Sequence, residues 1–145
     1  MAETAGYSGK PLAQKLGVKP GQTLLAIDPP GHYTDLLEPL ADGVSLVLSS
    51  LEQAETGADV VHAFFADRAA LAGDVERLIR LPAPGGMIWI SWPKKTSALH
   101  HDLTDNDIRA LVLPTGWVDV KVAAVDADWS GLKFLQRRTT SATVP

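Results

Sequence analysis

Residues 57–92, GADVVHAFFADRAALAGDVERLIRLPAPGGMIWISW, decide the fold. They open with an apolar run at 58–66, rich in β-branched and aromatic residues, which predicts a buried strand. Four apolar residues then recur at the spacing of one face of a helix: Leu71, Val75, Leu78 and Ile79. A turn of proline and glycine leads into a second apolar run at 87–92. Strand, helix and strand in this order predict two parallel strands joined by a crossover helix.

The chain before this stretch repeats the same order in shorter elements. KPLAQKLG at 10–17 predicts a short helix, and TLLAI at 23–27 predicts a buried strand. HYTDLLEPLA at 32–41 predicts a helix interrupted at Pro39, and VSLVLSS at 44–50 predicts a second strand. Continuously apolar strands that alternate with helices are typical of a parallel sheet covered on both faces.

The chain after this stretch changes its rhythm. Thr104 stands three residues before Asp107, which predicts a capped helix that Pro114 and Gly116 close. Asp102, Asp105 and Asp107 are interpreted as the acidic start of that helix. Two segments, 117–126 and 131–138, then flank a short turn, and the period-two alternation of the first predicts an antiparallel hairpin.

The methyltransferase variety of the Rossmann-like fold has a mostly parallel sheet that ends in an antiparallel hairpin. The sequence therefore predicts a three-layer α/β sandwich of this kind, in reduced form. Its 145 residues and 15.4 kDa suit one domain, 1–145, with an ordered core over about 6–138. GYSGK at 6–10 is interpreted as an arm that either caps the first helix through Ser8 or closes a pocket.

Composition excludes several classes of function. A net charge of −4 argues against a nucleic-acid-binding protein, and the absence of cysteine excludes disulfides, thiolate nucleophiles and zinc–sulfur sites. No apolar run approaches the roughly 18 residues of a membrane span. The opening MAETAGYSGK has no apolar core of a secretory signal, so we expect a cytoplasmic protein.

Several stretches together resemble a family of small bacterial proteins of unknown function, often described as related in fold to methyltransferases. The stretches are GYSGKPLAQKLGVKPG, PPG, GGMIWISWPKK, DLTDNDIRALVLPTGWVDVKVAAVD and WSGLKF. The resemblance covers residues from about 6 to 138, and SWPKK and WSG are its most distinctive parts. It implies the fold and carries no activity with it.

The turn after the first strand argues against ordinary methyl transfer. A site for S-adenosylmethionine or a dinucleotide needs glycines there, so that backbone N–H groups can approach the ligand. Here the turn reads Asp28-Pro29-Pro30-Gly31-His32, and its two prolines have no N–H donors. Asp28 matches the acid that often ends this strand in methyltransferases. The second strand ends in Ser49 and Ser50 instead of an acid that could hold ribose hydroxyls, and Glu52 is a loose substitute.

Other chemistries lack their motifs. His62 lies in the middle of a predicted strand and is interpreted as a core histidine with satisfied hydrogen bonds. His100 and His101 are adjacent, so their side chains diverge on a helix or a strand. The sequence has neither a G-x-S-x-G elbow nor a phosphate loop. We therefore assign no catalytic residue and no metal ligand from the sequence.

The carboxyl edge of the sheet is the predicted place for a site, because ligands of open parallel sheets bind there. If the strand that begins near Val118 runs parallel to the others, the hairpin turn joins this edge. The candidate ligand-binding residues at this rim are Asp28, Gly31, Arg68, Ser91, Trp92, Lys94, Lys95, Asp126, Trp129 and Ser130. Lysines neutralise a phosphate or carboxylate, and tryptophan stacks on a ring or a cation. The alternative is structural: Trp92 covers the core, Pro93 ends the strand, and the lysines are solvated or paired with aspartates of the turn.

Three functions remain open. The first is a non-catalytic or regulatory module that binds a small anionic or aromatic molecule at the rim and needs no cofactor. The second is a divergent transferase that uses S-adenosylmethionine, with Asp28 or Asp126 as its base. The third is a protein–protein module, in which the hairpin edge or an apolar helix face forms a homodimer. No nucleic acid and no membrane is expected as a partner.

Overall fold

The computed structural model describes residues 11–137 and confirms the predicted alternation of elements. In chain order these are α1 (Leu12–Leu16), β1 (Thr23–Ile27), α2 (Tyr33–Leu37), β2 (Ser45–Ser49), β3 (Ala58–Phe64), α3 (Arg68–Leu78), β4 (Pro82–Pro93), α4 (Asp105–Val112), β5 (Trp117–Ala124) and β6 (Trp129–Gln136). A 3-10 turn, Leu113–Thr115, follows α4. The predictions made for 6–10, including the cap at Ser8, and for residue 138 lie outside the described residues.

The six strands form one sheet in the order β2-β1-β3-β4-β6-β5. Neighbouring strands from β2 to β4 are parallel, whereas β6 is antiparallel both to β4 and to β5. β5 therefore runs in the same direction as the first four strands. As a consequence, the turn between β5 and β6 lies at the carboxyl edge, which confirms the predicted antiparallel ending.

Side chains that alternate along each strand divide the core into two clusters. α1 and α2 cover one side of the sheet, called here the α1/α2 face, and α3 and α4 cover the other, called here the α3/α4 face. In β4, Ile88 and Ile90 pack on the α3/α4 face, while Trp89 packs on the α1/α2 face. The indole Nε1 of Trp89 donates to the carbonyl of Leu16, 2.9 Å away, and so attaches α1 to the sheet.

β4 is longer than predicted, since it begins at Pro82 instead of Met87. Its register with β3 shifts near its start. Gly86 makes this irregularity possible, because a Cβ there would lie 2.9 Å from the carbonyl oxygens of Ala83 and Asp59. The sequence pattern showed only the apolar part of the strand, because the preceding prolines and glycines are typical of a turn.

The two longer helices begin at capping residues, whereas α2 covers only Tyr33–Leu37 of the predicted 32–41. Asp67 caps α3 by accepting a hydrogen bond from the N–H of Ala70, and Thr104 and Asp107 form the predicted capping box of α4. Asp102 is a correction: it accepts from the N–H of Arg68 at the start of α3, and α4 begins only at Asp105. Within residues 11–137, the helices are too short and too polar to cross a membrane.

The connection between β2 and β3 differs from the others because residues 50–57 form turns instead of a helix. Turns instead of a helix therefore cover the α3/α4 face beside β1 and β2. A groove of about 430 Å³ lies there, and Leu25, Val47 and Ala54 are among the residues that line it.

Candidate ligand-binding site

The sheet separates the predicted rim residues onto its two faces. Trp92 and Ser130 are cross-strand partners, and Trp92 packs with the α3/α4 cluster. Trp129 lies opposite Pro93 and packs with the α1/α2 cluster, where its ring meets that of Phe64 edge-on at 5.1 Å. The expected convergence of the two tryptophans is therefore wrong, because adjacent positions along a strand point to opposite faces.

Two further candidates lie away from the rim surface. Arg68 begins α3, and its Nε is 3.3 Å from a carboxylate oxygen of Asp107 on the α3/α4 side. Ser91 is fully buried, and its hydroxyl lies 2.7 Å from Nε2 of His62. Both were predicted from their positions at the ends of strands, which do not reveal the direction of a side chain.

The remaining candidate residues of the rim are grouped around Asp126. Its carboxylate is buried, and one oxygen accepts hydrogen bonds from the backbone N–H groups of Asp128 and Trp129, each at 2.8 Å. The other oxygen lies 2.7 Å from Nε2 of His32, whose side chain is 51% exposed. Because a carboxylate only accepts, Nε2 carries the proton and Nδ1 is the nitrogen that can take one up.

The sequence interpretation missed His32. The residue directly follows the Pro-Pro-Gly turn after β1, and the hairpin turn that contains Asp126 reaches the same edge. These two facts together could have suggested a contact across 94 residues. Neither element carries the signal alone, because a histidine in a turn and an aspartate in a hairpin are both ordinary.

Two lysines approach the ends of the hairpin turn. Lys15 Nζ donates to the carbonyl of Ala124 at 3.0 Å, and the backbone N–H of Lys94 donates to the carbonyl of Asp128 at 2.7 Å. Partial burial, and then the charge of Lys94, lower the pKa of Lys15. Lys15 and Lys94 therefore both border the hairpin turn.

The sequence left the two lysines either solvated or paired with aspartates of the turn, and within residues 11–137 the carboxylates of that turn have other partners. Asp126 holds His32, and Asp128 accepts from the hydroxyl of Ser97 at 2.9 Å. Lys95 is exposed. The turn that follows β4 is therefore fastened to the hairpin by the backbone of Lys94 and the side chain of Ser97.

The turn after β1 has unusual backbone geometry. Asp28 is exposed and adopts a left-handed conformation with φ of 52°, and its N–H donates to the carbonyl of Ser49 at 3.0 Å. Pro29 and Pro30 have no N–H, and Gly31 is exposed. This turn cannot cradle a phosphate with successive N–H groups as a glycine loop does.

A buried polar network lies beneath the site. His62 is fully buried between the hydroxyls of Tyr33, 2.8 Å from Nδ1, and Ser91, 2.7 Å from Nε2. Burial lowers the pKa of His62 to about 3 and raises the pKa of Tyr33. The prediction of a satisfied core histidine is confirmed. The network joins α2, β3 and β4 below the ring of Phe64, on which Trp129 packs.

A second polar cluster lies at the start of α3. Asp67, His101 and Asp102 offer ligand atoms within 4.8 Å of one another, a grouping that the sequence interpretation did not foresee. Nε2 of His101 is 3.3 Å from Asp67 and 3.9 Å from Asp102. Both carboxylates also accept from N–H groups of the first turn of α3. The cluster thus caps the helix, and the positive end of the helix opposes a cation there.

Comparison with known proteins supports the fold. No family model matches the sequence, and no curated protein matches it. Among solved structures, a methyltransferase of Aquifex aeolicus that depends on S-adenosylmethionine is similar over 89% of both chains, with 12% identity and a TM-score of 0.59. Magnesium protoporphyrin IX methyltransferase of Synechocystis with bound S-adenosylmethionine is similar over 88% of this chain and 74% of its own, with 12% identity and a TM-score of 0.58.

A possible exported protein of Bordetella parapertussis is similar over 88% of this chain, with 14% identity and a TM-score of 0.62. This chain spans 66% of that protein's length. At these identities the likeness concerns the fold. The chain has the α/β fold of methyltransferases, with a mostly parallel sheet and an antiparallel C-terminal hairpin.

Proposed function

We propose that this protein binds a small anionic molecule, with or without an aromatic ring, at the carboxyl edge of the sheet on the α1/α2 face. The observation that carries the proposal is the pair of His32 and Asp126 beside Lys94 and Trp129. This edge is where open parallel sheets bind their ligands.

Each group has a chemical part in the proposed site. Lys94 and Lys15 both border the hairpin turn, and their positive charges favour a phosphate or a carboxylate. Trp129 is half-buried, so one part of its ring is fixed on Phe64 and the rest can pack on a ligand. Asp28 and Gly31 border the site from the turn that leads to His32.

The second candidate is a divergent transferase that uses S-adenosylmethionine. Two observations favour it: the solved structures of this fold include methyltransferases, one with that cofactor bound, and His32 has the orientation of a general base. A carboxylate that holds one imidazole nitrogen leaves the other free to accept a proton from a substrate. The proline turn fits the cofactor poorly, because Pro29 and Pro30 offer no N–H donors.

Calorimetric titration separates the two candidates. The probes are inorganic pyrophosphate, S-adenosylmethionine and S-adenosylhomocysteine, and the proteins are wild type, Lys94→Ala and the neighbouring control Lys95→Ala. We expect pyrophosphate to bind, and Lys94→Ala to weaken that binding about 10-fold or more, since a hydrogen bond to a charged group contributes about 1.5–3 kcal/mol. We expect Lys95→Ala to change it less than about 2-fold.

Two results would overturn the proposal. Equal weakening by both lysine variants would mean a diffuse charge effect instead of a site. Micromolar binding of S-adenosylmethionine, with no binding of pyrophosphate, would make the transferase the leading function. In that case His32→Gln should lower the rate of methyl transfer and leave cofactor affinity unchanged, since His32 would act on the substrate proton alone.

A further inference from the structure

We propose that β2 is a dimer interface, through which two copies of this chain join their sheets by antiparallel pairing of β2 with β2 about a two-fold axis at Val47. This interface is independent of the proposed ligand site, since it lies at the outer edge of the sheet instead of the carboxyl edge. The sequence suggested a dimer through the hairpin edge or an apolar helix face, whereas β2 lies at the opposite end of the sheet from the hairpin.

The two outer edges of the sheet are built differently. β5 carries Asp119 and Lys121, and its register with β6 shifts between them, which indicates a bulge. Charges and bulges protect an edge against pairing with other chains. β2 reads Ser45-Leu46-Val47-Leu48-Ser49, has no charge and no proline, and pairs with β1 in unbroken register. Natural edge strands seldom lack all of these devices unless something covers them.

β2 also exposes apolar side chains on both faces of the sheet. The exposed fractions are 45% for Val47 and 53% for Leu48, which point to opposite faces. Val47 borders the groove of about 430 Å³ beside β1 and β2. A partner strand would extend both apolar faces and would narrow this groove.

The strand is self-complementary, which identifies a second copy as the occupant. Its sequence is the same in both directions, so antiparallel pairing centred on Val47 sets Leu46 against Leu48, Ser45 against Ser49 and Val47 against itself. A two-fold interface requires that residue i meets j while j meets i. Every pair in this register is therefore matched in size and polarity, and no like charges meet within the strand.

Backbone direction agrees with this register. The N–H of Ser45 donates inward to Gln22, and the carbonyl of Ser49 accepts from Asp28 on the same side. Because successive residues of a strand turn their N–H and C=O groups to opposite sides, Leu46 and Leu48 direct theirs outward. These two residues face each other in the centred register, so they form two hydrogen-bonded pairs with four hydrogen bonds.

The area indicates a weak dimer. Five residues of edge cover less than the roughly 800 Å² per partner of a standard interface. Asp42 and Glu52 flank the strand and would bring like charges near each end. We therefore expect a dissociation constant in the micromolar range or above, and tighter association when added salt screens these acids.

Disulfide trapping tests the register, and the chain suits it because it has no cysteine. Val47→Cys should crosslink to its own copy, since the Cα atoms of a non-hydrogen-bonded antiparallel pair are about 4.5 Å apart, within reach of a disulfide. Ser45→Cys should not crosslink to itself across about 13 Å, but should crosslink to Ser49→Cys when the two are mixed. Val122→Cys on β5 is the control for the other edge.

Sedimentation equilibrium over a range of concentrations tests the association itself. Leu48→Lys should abolish it, whereas Val122→Lys, at a position with the same exposed fraction of 53% on the other edge, should leave it unchanged. Circular dichroism checks that both variants fold. A wild-type protein that stays monomeric at millimolar concentration and high salt overturns the proposal. So does crosslinking at Val122→Cys in preference to Val47→Cys, which would return the dimer to the hairpin edge.

Discussion

The two faces of one sheet do different work in this protein. In β3, Val61 and Ala63 point to the α3/α4 face and enter a cluster of apolar side chains. The alternate positions Val60, His62 and Phe64 point to the α1/α2 face. There the core includes a histidine with two hydroxyl partners, and the hairpin turn above it holds Asp126 and Trp129.

The two faces also differ in how their charged side chains are paired. On the α3/α4 side Arg109 binds both Asp105 and Asp119, and these hydrogen bonds raise its pKa. On the α1/α2 side positive charges meet each other: Lys121 is the cross-strand partner of Lys133. Arg109 is therefore neutralised on the α3/α4 face, whereas Lys121 and Lys133 lie side by side on the face to which we assign ligand binding.

The largest expected effect that tests this contrast is loss of stability in acid through His62. Its pKa lies at about 3 in the folded protein and at its ordinary 6.5 in the unfolded chain. The unfolded state therefore takes up a proton first as pH falls below 6.5, and the folded state is destabilised progressively until about pH 3. The slope approaches 1.4 kcal/mol per pH unit, and the whole loss is about 4–5 kcal/mol.

Urea unfolding from pH 7 to pH 4 measures this dependence. His62→Gln should flatten it, because no imidazole remains to be protonated. Val61→Ala, one residue earlier on the other face, should lower stability by a similar amount at every pH. If His62→Gln keeps the wild-type slope, acid sensitivity arises elsewhere and the contrast between the faces loses its main support.

The second expected effect concerns the hairpin turn. Asp126→Ala removes the acceptor of two backbone N–H groups and of His32, so we expect a loss of about 2–3 kcal/mol in the free energy of unfolding. Asp126→Asn keeps an oxygen for the turn and should lose less than about 1 kcal/mol. Ser130→Ala, half-buried on the other face, is the control and should change stability by less than about 0.5 kcal/mol. Equal losses from the Ala and Asn variants would contradict the assigned hydrogen bonds.

The sequence predicted the fold well because each element carries its own local signal. The apolar runs of β1 and β3, the helical spacing of Leu71 and Val75, and the capping box at Thr104 all depend on near neighbours. The hairpin and its place at the carboxyl edge follow from alternation and strand direction. Patterns of this kind need no knowledge of distant contacts.

The site was predicted less well because it depends on direction and on distant contacts. Trp92 and Trp129 share an edge but face opposite ways, and only the pairing of β4 with β6 reveals this. Ser91 lies near the end of β4 and yet points into the core. His32 is a candidate site residue because it contacts Asp126, which lies 94 residues further along the chain. The position of a residue along a strand predicts the edge of the sheet at which it lies, whereas the pairing register of the strands decides the face to which its side chain points.

A smaller effect is expected at Asp28, where the left-handed φ of 52° favours glycine. Asp28→Gly should leave stability unchanged or raise it slightly, whereas Asp28→Ala should lower it by about 1 kcal/mol. Thermal unfolding measures both. If the Gly variant is at least as stable as wild type but binds pyrophosphate differently, the carboxylate of Asp28 serves the ligand and not the fold. A clear loss of stability in the Gly variant would assign Asp28 a structural role instead.

The smallest expected effect tests whether the positive charges of the α1/α2 face lower the free energy of unfolding. Burial, and then the charges of Lys121 and Lys19, lower the pKa of Lys133. Lys121→Glu replaces a like-charged cross-strand pair by an opposite one, so we expect a gain of about 0.5 kcal/mol at low salt that fades as salt is added. Urea unfolding at two salt concentrations measures the gain, and Lys121→Thr should give about half of it. A protein that is more stable without this lysine retains it for a reason other than folding, whereas a loss of stability would mean that the lysines of this face are ordinary surface residues.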